Sequence, residues 1–417
     1  MARPGVAYGR GVSTPAARPS SGTSDPAAAP DRPTTTSTGT PTDTGTGTVP
    51  GPGALPRTPL DHLPLPLDGA FVDRAEHRRA EPDLVRTLRS QPTTRVLLVH
   101  RGRLALGGPG AADGVALLDP AELRDVDPAT DDDQGRWLFL GEGDGTAYLA
   151  LVLPDDADAE EVDIEGVDAS EPFAVLARER TWSGLRDLVG EVAAPVAGLA
   201  TEAVALAAWH ANHPRCPRCG GRTTVEKGGW TRRCVAQGVE LYPRTDPAVI
   251  MTVVHGEGSD ERLLLGHAAH WPERRFSTLA GYVEPGESLE NAVRREVAEE
   301  AGVVVGDVAY RGSQPWPFPA SLMLGFSARA LTTELHVDGV ELTDARWFTR
   351  AELADAVRSG EVLLPGRSSI ARALVEDWFG ARLAAAGQGL RAAAGGGRGG
   401  AGRRAAGGRA VRGGAEG

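Results

Sequence analysis

A group of glutamates at helical spacing is the part of the sequence best suited to chemistry. Glu296, Glu299 and Glu300 stand at i, i+3 and i+4, so an α-helix would place all three carboxylates on one face. Like charges at this spacing destabilise a helix by about 0.2–0.5 kcal/mol per pair. A divalent cation such as Mg²⁺ or Mn²⁺ would remove that penalty and would in turn bind phosphate oxygens. The alternative is a solvated acidic face paired with Arg294 or Arg295.

These glutamates belong to a longer pattern, "GYVEPGESLENAVRREVAEEAGV", which spans residues 281–303. Ser288 is a suitable N-cap and Gly302 a suitable left-handed C-cap, so the sequence predicts a helix over residues 289–301. The stretch fits Gly-x5-Glu-x7-Arg-Glu-aliphatic-x-Glu-Glu-x-Gly-aliphatic at every fixed position. Those positions are Gly281, Glu287, Arg295, Glu296, Val297, Glu299, Glu300, Gly302 and Val303.

A proline-rich segment with two aromatic rings, "SQPWPFPASLM", follows the glutamates at residues 313–323. Proline fixes φ and cannot donate to the hydrogen-bond ladder of a helix or a sheet. The sequence therefore predicts a stiff, irregular ribbon that presents Trp316 and Phe318.

The cysteines form a candidate metal site. The chain has three of them, Cys216, Cys219 and Cys234. Cys-x-x-Cys puts two thiolates on one turn, and a structural zinc ion takes four ligands. A second such pair would place a cysteine where the chain has Gln237, and the nearest histidines by sequence, His213 and His210, lack a diagnostic spacing. The segment is either a zinc ribbon with one zinc ion per chain and an uncertain fourth ligand, or a degenerate ribbon held by packing.

The composition divides the chain into five stretches. Residues 1–60 are rich in Pro, Thr, Gly, Ser and Ala, residues 386–417 are rich in Gly, Ala and Arg, and both are predicted to be disordered tails. The arginines of the second tail would either contact RNA or acidic partners or simply be solvated. Between the tails we predict an N-terminal domain over residues 61–205, a zinc ribbon over 206–245 and an α+β domain over 246–385.

Apolar patterns indicate the elements of these domains. "TRVLLVHRGRLAL", "WLFLGEGDGTAYLALVLP" and "FAVLARE" are typical of short strands, so the N-terminal domain is predicted to be mostly β. "GLATEAVALAAWHANH" has helical spacing and leads into the cysteines. Beyond the ribbon, the strand-like "AVIMTVVHG" and "RLLLGHA" precede the charged helix, and a last helix is predicted around "SSIARALVEDWF".

The overall composition excludes some classes of protein. The 417 residues carry a formal net charge of −12, which does not favour a broad nucleic-acid-binding face. No apolar run has the length of a signal peptide or of a membrane span. A small, clustered set of cysteines is typical of a reducing compartment. We therefore expect a cytoplasmic protein without a membrane partner.

Residues 281–303 resemble the Nudix box of hydrolases that cleave nucleoside diphosphates linked to another moiety. "CPRCG" and "YPRTDPAVI" before the box, and "SQPWPFPASLM", "ELTDARWF" and "SIARALVEDW" after it, resemble the NADH pyrophosphatase branch of that superfamily. The resemblance covers roughly residues 61–380. It implies an α+β protein in which a Nudix α/β/α sandwich domain follows a zinc ribbon and an N-terminal mostly-β domain.

The resemblance also implies an activity. Members of the family hydrolyse NAD(H) to nicotinamide mononucleotide and AMP with Mg²⁺ or Mn²⁺, can remove an NAD cap from the 5′ end of RNA, and would act as homodimers. Two alternatives remain open. One is a Nudix pyrophosphatase for ADP-ribose or another nucleoside diphosphate derivative, and the other is a zinc-ribbon nucleic-acid-binding protein with a vestigial box.

By motif position, the resemblance assigns roles to particular residues. Glu296, Glu300 and Glu341 would be catalytic, with Glu300 the first candidate for the general base and Glu341 the second. The same three carboxylates, together with Glu299 and the backbone carbonyl of Ala280, would hold the catalytic metals. In the signature itself, the glutamate at 287 and the arginine at 295 would pair and brace the loop.

The remaining implied residues form the substrate pocket. Flat rings such as those at positions 316 and 318 can stack on a base for about 1–3 kcal/mol each, although one of the two rings could instead belong to the core. The implied substrate-binding residues are Tyr242, Ile250, Tyr282, Gln314, Pro315, Trp316, Pro317, Phe318, Pro319, Ala320, Ser321 and Ala371.

Overall fold

A computed structural model describes residues 63–67, 72–108, 114–125, 136–155, 157, 171–188 and 192–383. Both predicted tails, residues 1–60 and 386–417, lie outside these described residues. None of the helices in the described ranges has the length and apolar character that crossing a membrane requires.

The N-terminal domain is built on one sheet flanked by helices. Its strands are β1 (Arg95–His100), β2 (Arg103–Ala105), β3 (Arg136–Gly143), β4 (Thr146–Val152) and β5 (Trp182–Gly184), and its helices are α1 (Leu84–Arg89), α2 (Glu171–Glu179), α3 (Leu185–Leu188) and α4 (Ala194–Asn212). The strand order is β3-β4-β1-β2-β5, and β1 runs parallel to β4. Both faces of β1 are buried: Val96 and Leu98 enter one core cluster, whereas Leu97 and Val99 pack with Leu199 of α4 in another.

One of the predicted strands is wrong. "FAVLARE" belongs to helix α2, Glu171–Glu179. Its alanines, leucine, arginine and glutamate are strong helix formers, and so short an apolar run does not reveal its period. The other two strand regions of this domain and the helix before the cysteines are confirmed.

The cysteine region forms a small three-stranded antiparallel sheet. Its strands are β6 (Thr223–Glu226), β7 (Thr231–Cys234) and β8 (Glu240–Leu241). Helix α4 runs without a break across the predicted domain boundary between residues 205 and 206. A continuous helix, rather than a linker, therefore joins the N-terminal domain to the ribbon.

The C-terminal domain has helices on both faces of a six-stranded sheet. Its elements are β9 (Asp246–His255), β10 (Arg262–Ala268), β11 (Leu279–Tyr282), α5 (Leu289–Ala301), β12 (Val305–Trp316), β13 (Ser321–Ala330), β14 (Leu342–Thr349), α6 (Arg350–Ser359) and α7 (Ile370–Phe379). The strand order is β12-β13-β9-β10-β14, and β11 pairs with β9. Along β9, Val249, Met251 and Val253 share a core with α5, whereas Ile250 and Val254 pack with α6 and α7. The alternation confirms the predicted α/β/α sandwich.

The proline-rich segment is a hairpin rather than an irregular ribbon. Its first half completes β12, and Trp316 pairs with Ser321 at the start of β13. Strand β12 lies at the edge of the sheet, and an edge strand is where a sheet tolerates a proline such as Pro315.

Candidate functional site

Helix α5 carries the glutamates, and it has the N-cap and the C-cap that its sequence predicts. Ser288 accepts a backbone N–H of the first turn at 3.3 Å, and Gly302 ends the helix with φ of 70°. The predicted helix over residues 289–301 is confirmed. Glu296 and Glu300 are buried, whereas the side chain of Glu299 is 60 % exposed. A solvated acidic face therefore does not describe this helix.

A cavity of about 690 Å³, which we call the carboxylate cavity, collects these groups at its wall. Six of its lining residues carry carboxylates: Glu284, Glu296, Glu299, Glu300, Asp338 and Glu341. Sequence reasoning missed Glu284 and Asp338. Asp338 lies three residues before Glu341 in a loop, and its closeness in sequence to an implied metal ligand was a weak signal. In the structure its carboxylate accepts the backbone N–H groups of Glu341 and Leu342, which lower its pKa.

Arg295 ties several of these carboxylates together. Its guanidinium donates to Glu287 Oε1 at 2.6 Å, to Glu296 Oε1 at 2.8 Å and to Glu299 Oε2 at 3.0 Å. It also donates to the backbone carbonyl of Tyr282 at 3.0 Å. The pairing of Glu287 with Arg295 that the signature implies is confirmed, and it lowers the pKa of Glu287.

Glu300 has different surroundings from its neighbours on α5. Its Oε2 atom is buried and has no hydrogen-bond donor among the residues that the structure describes. Burial, followed by the charges of Glu296, Glu341 and Asp338, raises the pKa of Glu300 to about 8. A buried carboxylate oxygen without a donor, placed among other carboxylates, is an environment that fits a hard divalent cation.

The first glycine of the signature allows Glu296 to reach the cavity. A Cβ atom built on Gly281 would lie 1.9 Å from Cδ of Glu296, a distance that no pair of non-bonded carbons tolerates. Strand β11 holds this glycine in place by pairing Ala280 with Ile250 and Gly281 with Val249 of β9. Only a residue without a side chain can occupy this position while Glu296 keeps its place.

A second cavity of about 1060 Å³ adjoins the first. The two share residues at the carboxylates and at the hairpin: Ala280, Glu300, Trp316, Met323 and Glu341. The second cavity adds Ile250 and Ala371. Eight of the implied site residues beyond the α5 glutamates thus line one of these two cavities: Ala280, Tyr282, Ile250, Trp316, Phe318, Ser321, Glu341 and Ala371.

The two rings of the hairpin contact the N-terminal domain as well as the cavity. Trp316 and Phe318 lie 5.0 Å apart, edge to face at 74°, and both pack against the core that contains α4. The Arg186 guanidinium lies 5.0 Å from the Trp316 ring centre and 4.1 Å from that of Phe318. Nothing in the sequence signals this arginine, because α3 meets the hairpin only through tertiary packing.

The structure does not bring every implied residue to these cavities. Gln314 is fully buried and donates to the carbonyl of Ser368 at 2.9 Å. Tyr242 is 64 % exposed, donates to Glu240 and lines neither cavity. The remaining four, Pro315, Pro317, Pro319 and Ala320, face a different cavity.

The three cysteines converge as a metal site requires. Their Sγ atoms all lie within 4.8 Å of one another, and Cys219 and Cys234 are 3.5 Å apart. Neither candidate histidine joins them. His210 is buried against the Gly229 carbonyl at 2.8 Å, and burial lowers its pKa to about 3. His213 bonds the carbonyl at the end of α4.

The backbone of the ribbon contains two equivalent turns. The amide of Gly220 donates to the Cys216 carbonyl at 2.8 Å, and the amide of Gly238 donates to the Cys234 carbonyl at 2.8 Å. By this register, Gln237 holds the place that the second cysteine holds in the first turn. Its Oε1 atom lies 3.9 Å from Cys216 Sγ, close to the spacing of two ligands on one tetrahedral zinc ion. The three thiolates therefore fit zinc, and Gln237 is the candidate for the fourth position.

Comparisons with known families and proteins agree with this arrangement. The chain matches the NUDIX domain over residues 244–365, the NADH pyrophosphatase zinc ribbon domain over 211–242 and the NADH pyrophosphatase-like rudimentary NUDIX domain over 93–209. A Mycobacterium bovis protein named "NAD-capped RNA hydrolase NudC" is 36% identical over 336 residues, which is 76% of this chain and 96% of that protein.

Two further similarities cover less of the molecules. "NAD-capped RNA hydrolase NUDT12" of Homo sapiens is 45% identical over 194 residues, so the match spans 44% of this chain and 42% of the human protein. The crystal structure of a NUDIX hydrolase from Nitrosomonas europaea is 22% identical with a TM-score of 0.30, over 40% of this chain and 94% of that one.

Proposed function

The chain belongs to the NADH pyrophosphatase family of Nudix hydrolases, and we propose that it hydrolyses the pyrophosphate bond of NAD(H) to nicotinamide mononucleotide and AMP. One observation above all supports this activity. Glu300 Oε2 is buried and has no donor among the described residues, in a cavity whose described wall carries five further carboxylates. Such a site suits divalent cations that bind two phosphates.

The metal site would be formed by Glu296, Glu299, Glu300 and Glu341 with the carbonyl oxygen of Ala280. All five line the carboxylate cavity, and carboxylate and carbonyl oxygens suit Mg²⁺ and Mn²⁺. When bound, the cations supply positive charge to the pyrophosphate oxygens and acidify water.

Within this site the carboxylates have separate tasks. Glu300 is the general base, because its unpartnered Oε2 can accept a proton from water. Glu341 is the second candidate, and it stands at an exposed position of the cavity wall. Arg295 fixes Glu296 and Glu299 by hydrogen bonds. The arginine thereby holds ligand geometry without competing for Glu300.

The substrate would occupy the two adjoining cavities. Trp316 lines both of them, and Phe318 and Tyr282 line the carboxylate cavity, so that flat rings are available on the walls for a base. The Tyr282 hydroxyl lies 3.2 Å from Ser321 Oγ, which fixes the tyrosine ring beside the hairpin. Relatives named NAD-capped RNA hydrolases support the removal of NAD caps from RNA as a second activity.

The substrate is tested by measuring kcat/KM for NADH, NAD-capped RNA and ADP-ribose side by side with Mn²⁺. We expect NADH to be cleaved to reduced nicotinamide mononucleotide, and the capped RNA to nicotinamide mononucleotide, each with a higher kcat/KM than that for ADP-ribose. A preference for ADP-ribose would replace this assignment with the ADP-ribose pyrophosphatase alternative. No hydrolysis of any of the three would favour a vestigial box.

The ribbon would hold one structural zinc ion through Cys216, Cys219 and Cys234, with Gln237 Oε1 as the fourth ligand. We expect purified protein to contain one zinc per chain. Gln237→Ala should speed zinc release to a chelator by at least about tenfold, the lower end of what even an outer-sphere partner contributes, and Gln237→Cys should slow it. Unchanged release from the alanine variant would exclude Gln237 as a ligand.

We also infer a homodimer that acts in the cytoplasm. Both inferences rest on the resemblance of the chain to its family. Sedimentation of the full chain should give twice the mass of one chain, and a single-chain mass at micromolar concentration would contradict the dimer.

A further inference from the structure

A third cavity, of about 340 Å³, is separate from the proposed catalytic carboxylates. Its walls come from α4, from the ribbon and from the prolines of the hairpin, and we call it the Glu202 cavity. Glu202 and Ala205 of α4 line it together with Trp230 of the ribbon. None of the six carboxylates of the carboxylate cavity lines it, whereas Trp316 and Ser321 line both cavities.

Glu202 is the unusual group in this cavity. The residue is only 8% exposed. Its Oε2 atom lies 3.2 Å from Nε of Arg74, but its Oε1 atom is buried and has no hydrogen-bond partner among the described residues. Burial raises the pKa of Glu202 to about 7, against the opposing charges of Arg74 and Arg79. A buried acceptor without a donor is costly to leave in a folded protein, so it points to a missing hydrogen-bond donor.

The charges around Glu202 restrict what that donor can be. Two guanidinium groups line the cavity, those of Arg74 and Arg244, and Arg244 is held at its position by Asp246 at 2.6 Å. Glu202 is the only carboxylate among the residues that line this cavity. Because Arg74 offsets Glu202 and Asp246 offsets Arg244, the groups around the cavity leave little net charge to hold a ligand cation or anion. A neutral N–H donor is the partner that this balance favours.

The walls restrict the shape of the ligand. Trp230 and Trp316 contribute aromatic rings, and Pro315, Pro317 and Pro319 contribute rigid apolar surface. Trp230 itself is held firmly, because its indole N–H donates to the Phe139 carbonyl at 2.8 Å. Aromatic and proline walls suit a flat ring, and a volume of about 340 Å³ has room for one base with its sugar.

We propose that the Glu202 cavity binds a nucleobase with an exocyclic amino group, carried on a nucleoside or nucleotide, whose amino N–H donates to Glu202 Oε1. Carboxylates accept hydrogen bonds from base amino groups in this way in nucleic-acid recognition, and aromatic side chains stack on the base plane. The site is distinct from the hydrolytic site. Because Trp316 lines both cavities, an occupant here would also restrict a ring on the substrate side.

Equilibrium dialysis of the full chain with adenosine and with inosine tests the site, because inosine carries a carbonyl where adenosine carries the amino group. At pH 8.5, above the pKa of Glu202, we expect the wild type to bind adenosine at least about tenfold more tightly than inosine, as for one hydrogen bond to a charged acceptor. Glu202→Met should abolish this preference, and Ala205→Trp, which fills the cavity without changing the carboxylate, should abolish the site. Thermal unfolding of each variant checks that it is folded.

Adenosine bound in the carboxylate cavity is common to the wild type and both variants, so the difference between the proteins reports on the Glu202 cavity alone. Equal affinity of the wild type for adenosine and inosine would overturn the assignment. So would a Glu202→Met variant that keeps the wild-type preference and the wild-type number of adenosine sites.

Discussion

Glu300 and Glu202 are two buried glutamates that each lack a hydrogen bond, and their charged neighbours have opposite signs. Each has one carboxylate oxygen without a hydrogen-bond donor in the described structure, and burial raises the pKa of each, to about 8 and about 7. Glu300 is surrounded by Glu296, Glu341 and Asp338, whereas Glu202 is near Arg74 and Arg79. Similar burial therefore leads to different chemistry.

The neighbouring charges determine what each glutamate can bind. A buried carboxylate that is surrounded by other carboxylates needs a positive charge beside it, and a divalent cation would supply that charge. Beside guanidinium groups, the charge is already balanced, and only a hydrogen-bond donor is missing. Burial alone would not have distinguished a metal site from a ligand site. The sign of the charged groups within a few ångströms of each glutamate distinguishes the metal site from the ligand site.

The largest loss of NADH hydrolysis should come from a substitution that crowds the carboxylate cavity. Gly281→Ala places a Cβ where Glu296 now lies, so the glutamate must move and the carboxylate cavity must change shape. We expect kcat/KM for NADH to fall by about 10²-fold, the scale of a misplacement of about 1 Å in a reacting geometry.

Gly143→Ala serves as the matched control for that variant. Gly143 lies in β3, and a Cβ built there meets nothing within 4 Å. Its kinetics should match those of the wild type. Wild-type kcat/KM in Gly281→Ala would mean that Glu296 has no fixed place in the reaction.

Substitutions in the hairpin that borders both sites should have the next largest effect on NADH hydrolysis. Trp316→Ala and Phe318→Ala should each raise KM for NADH by the equivalent of about 1–3 kcal/mol of stacking, with a smaller change in kcat. Both rings also pack on the N-terminal core, so some loss of stability should accompany the kinetic effect. A fully buried aromatic would lose roughly 3–5 kcal/mol on truncation.

Steady-state kinetics and thermal unfolding on the same preparations separate the two roles of the rings. Trp378→Ala is the control. Trp378 is half-buried, its ring centre lies 4.5 Å from the Arg350 guanidinium carbon, and it lines none of the three cavities. It should lower stability without changing KM. A native KM in both hairpin variants, together with early melting, would make the two rings purely structural.

The smallest effect, counted per pH unit, is the pH dependence of the free energy of unfolding at Glu202. Its pKa is raised from 4.5 to about 7 in the fold, so the folded protein binds more protons than the unfolded chain between those values. Stability therefore falls as pH rises through this window, by at most about 1.4 kcal/mol per pH unit. Glu202→Gln should remove this slope, measured as the difference between wild-type and variant urea unfolding at pH 5, 6, 7 and 8. An identical slope in both proteins would contradict the raised pKa.

Local sequence signals predicted the elements that local chemistry determines. Helix α5 begins and ends where Ser288 and Gly302 predict, because caps act through hydrogen bonds within one turn. The pairing of Glu287 with Arg295 also follows from the signature. "FAVLARE" was misassigned because its few apolar residues fit either period.

Contacts that depend on tertiary packing could not be predicted in this way. The proline-rich segment forms an edge hairpin because of its place in the sheet, which no local rule gives. The same holds for Arg186 over the two rings and for the cavity that Glu202 and Trp230 both line, since each joins residues far apart in the chain. Gln314 belongs to the motif that implies substrate binding, but it is buried and donates to the Ser368 carbonyl.

The central claim is that Glu300 acts at the heart of a metal-dependent hydrolytic site, and turnover of NADH by Glu300→Gln at saturating Mn²⁺ tests it most directly. Glu290→Gln is the control, because Glu290 is exposed in the first turn of the same helix and outside the cavity. We predict that Glu300→Gln remains folded but loses at least about two decades of kcat, the scale of removing a general base, while the control keeps wild-type turnover. Wild-type kcat in Glu300→Gln would contradict the claim.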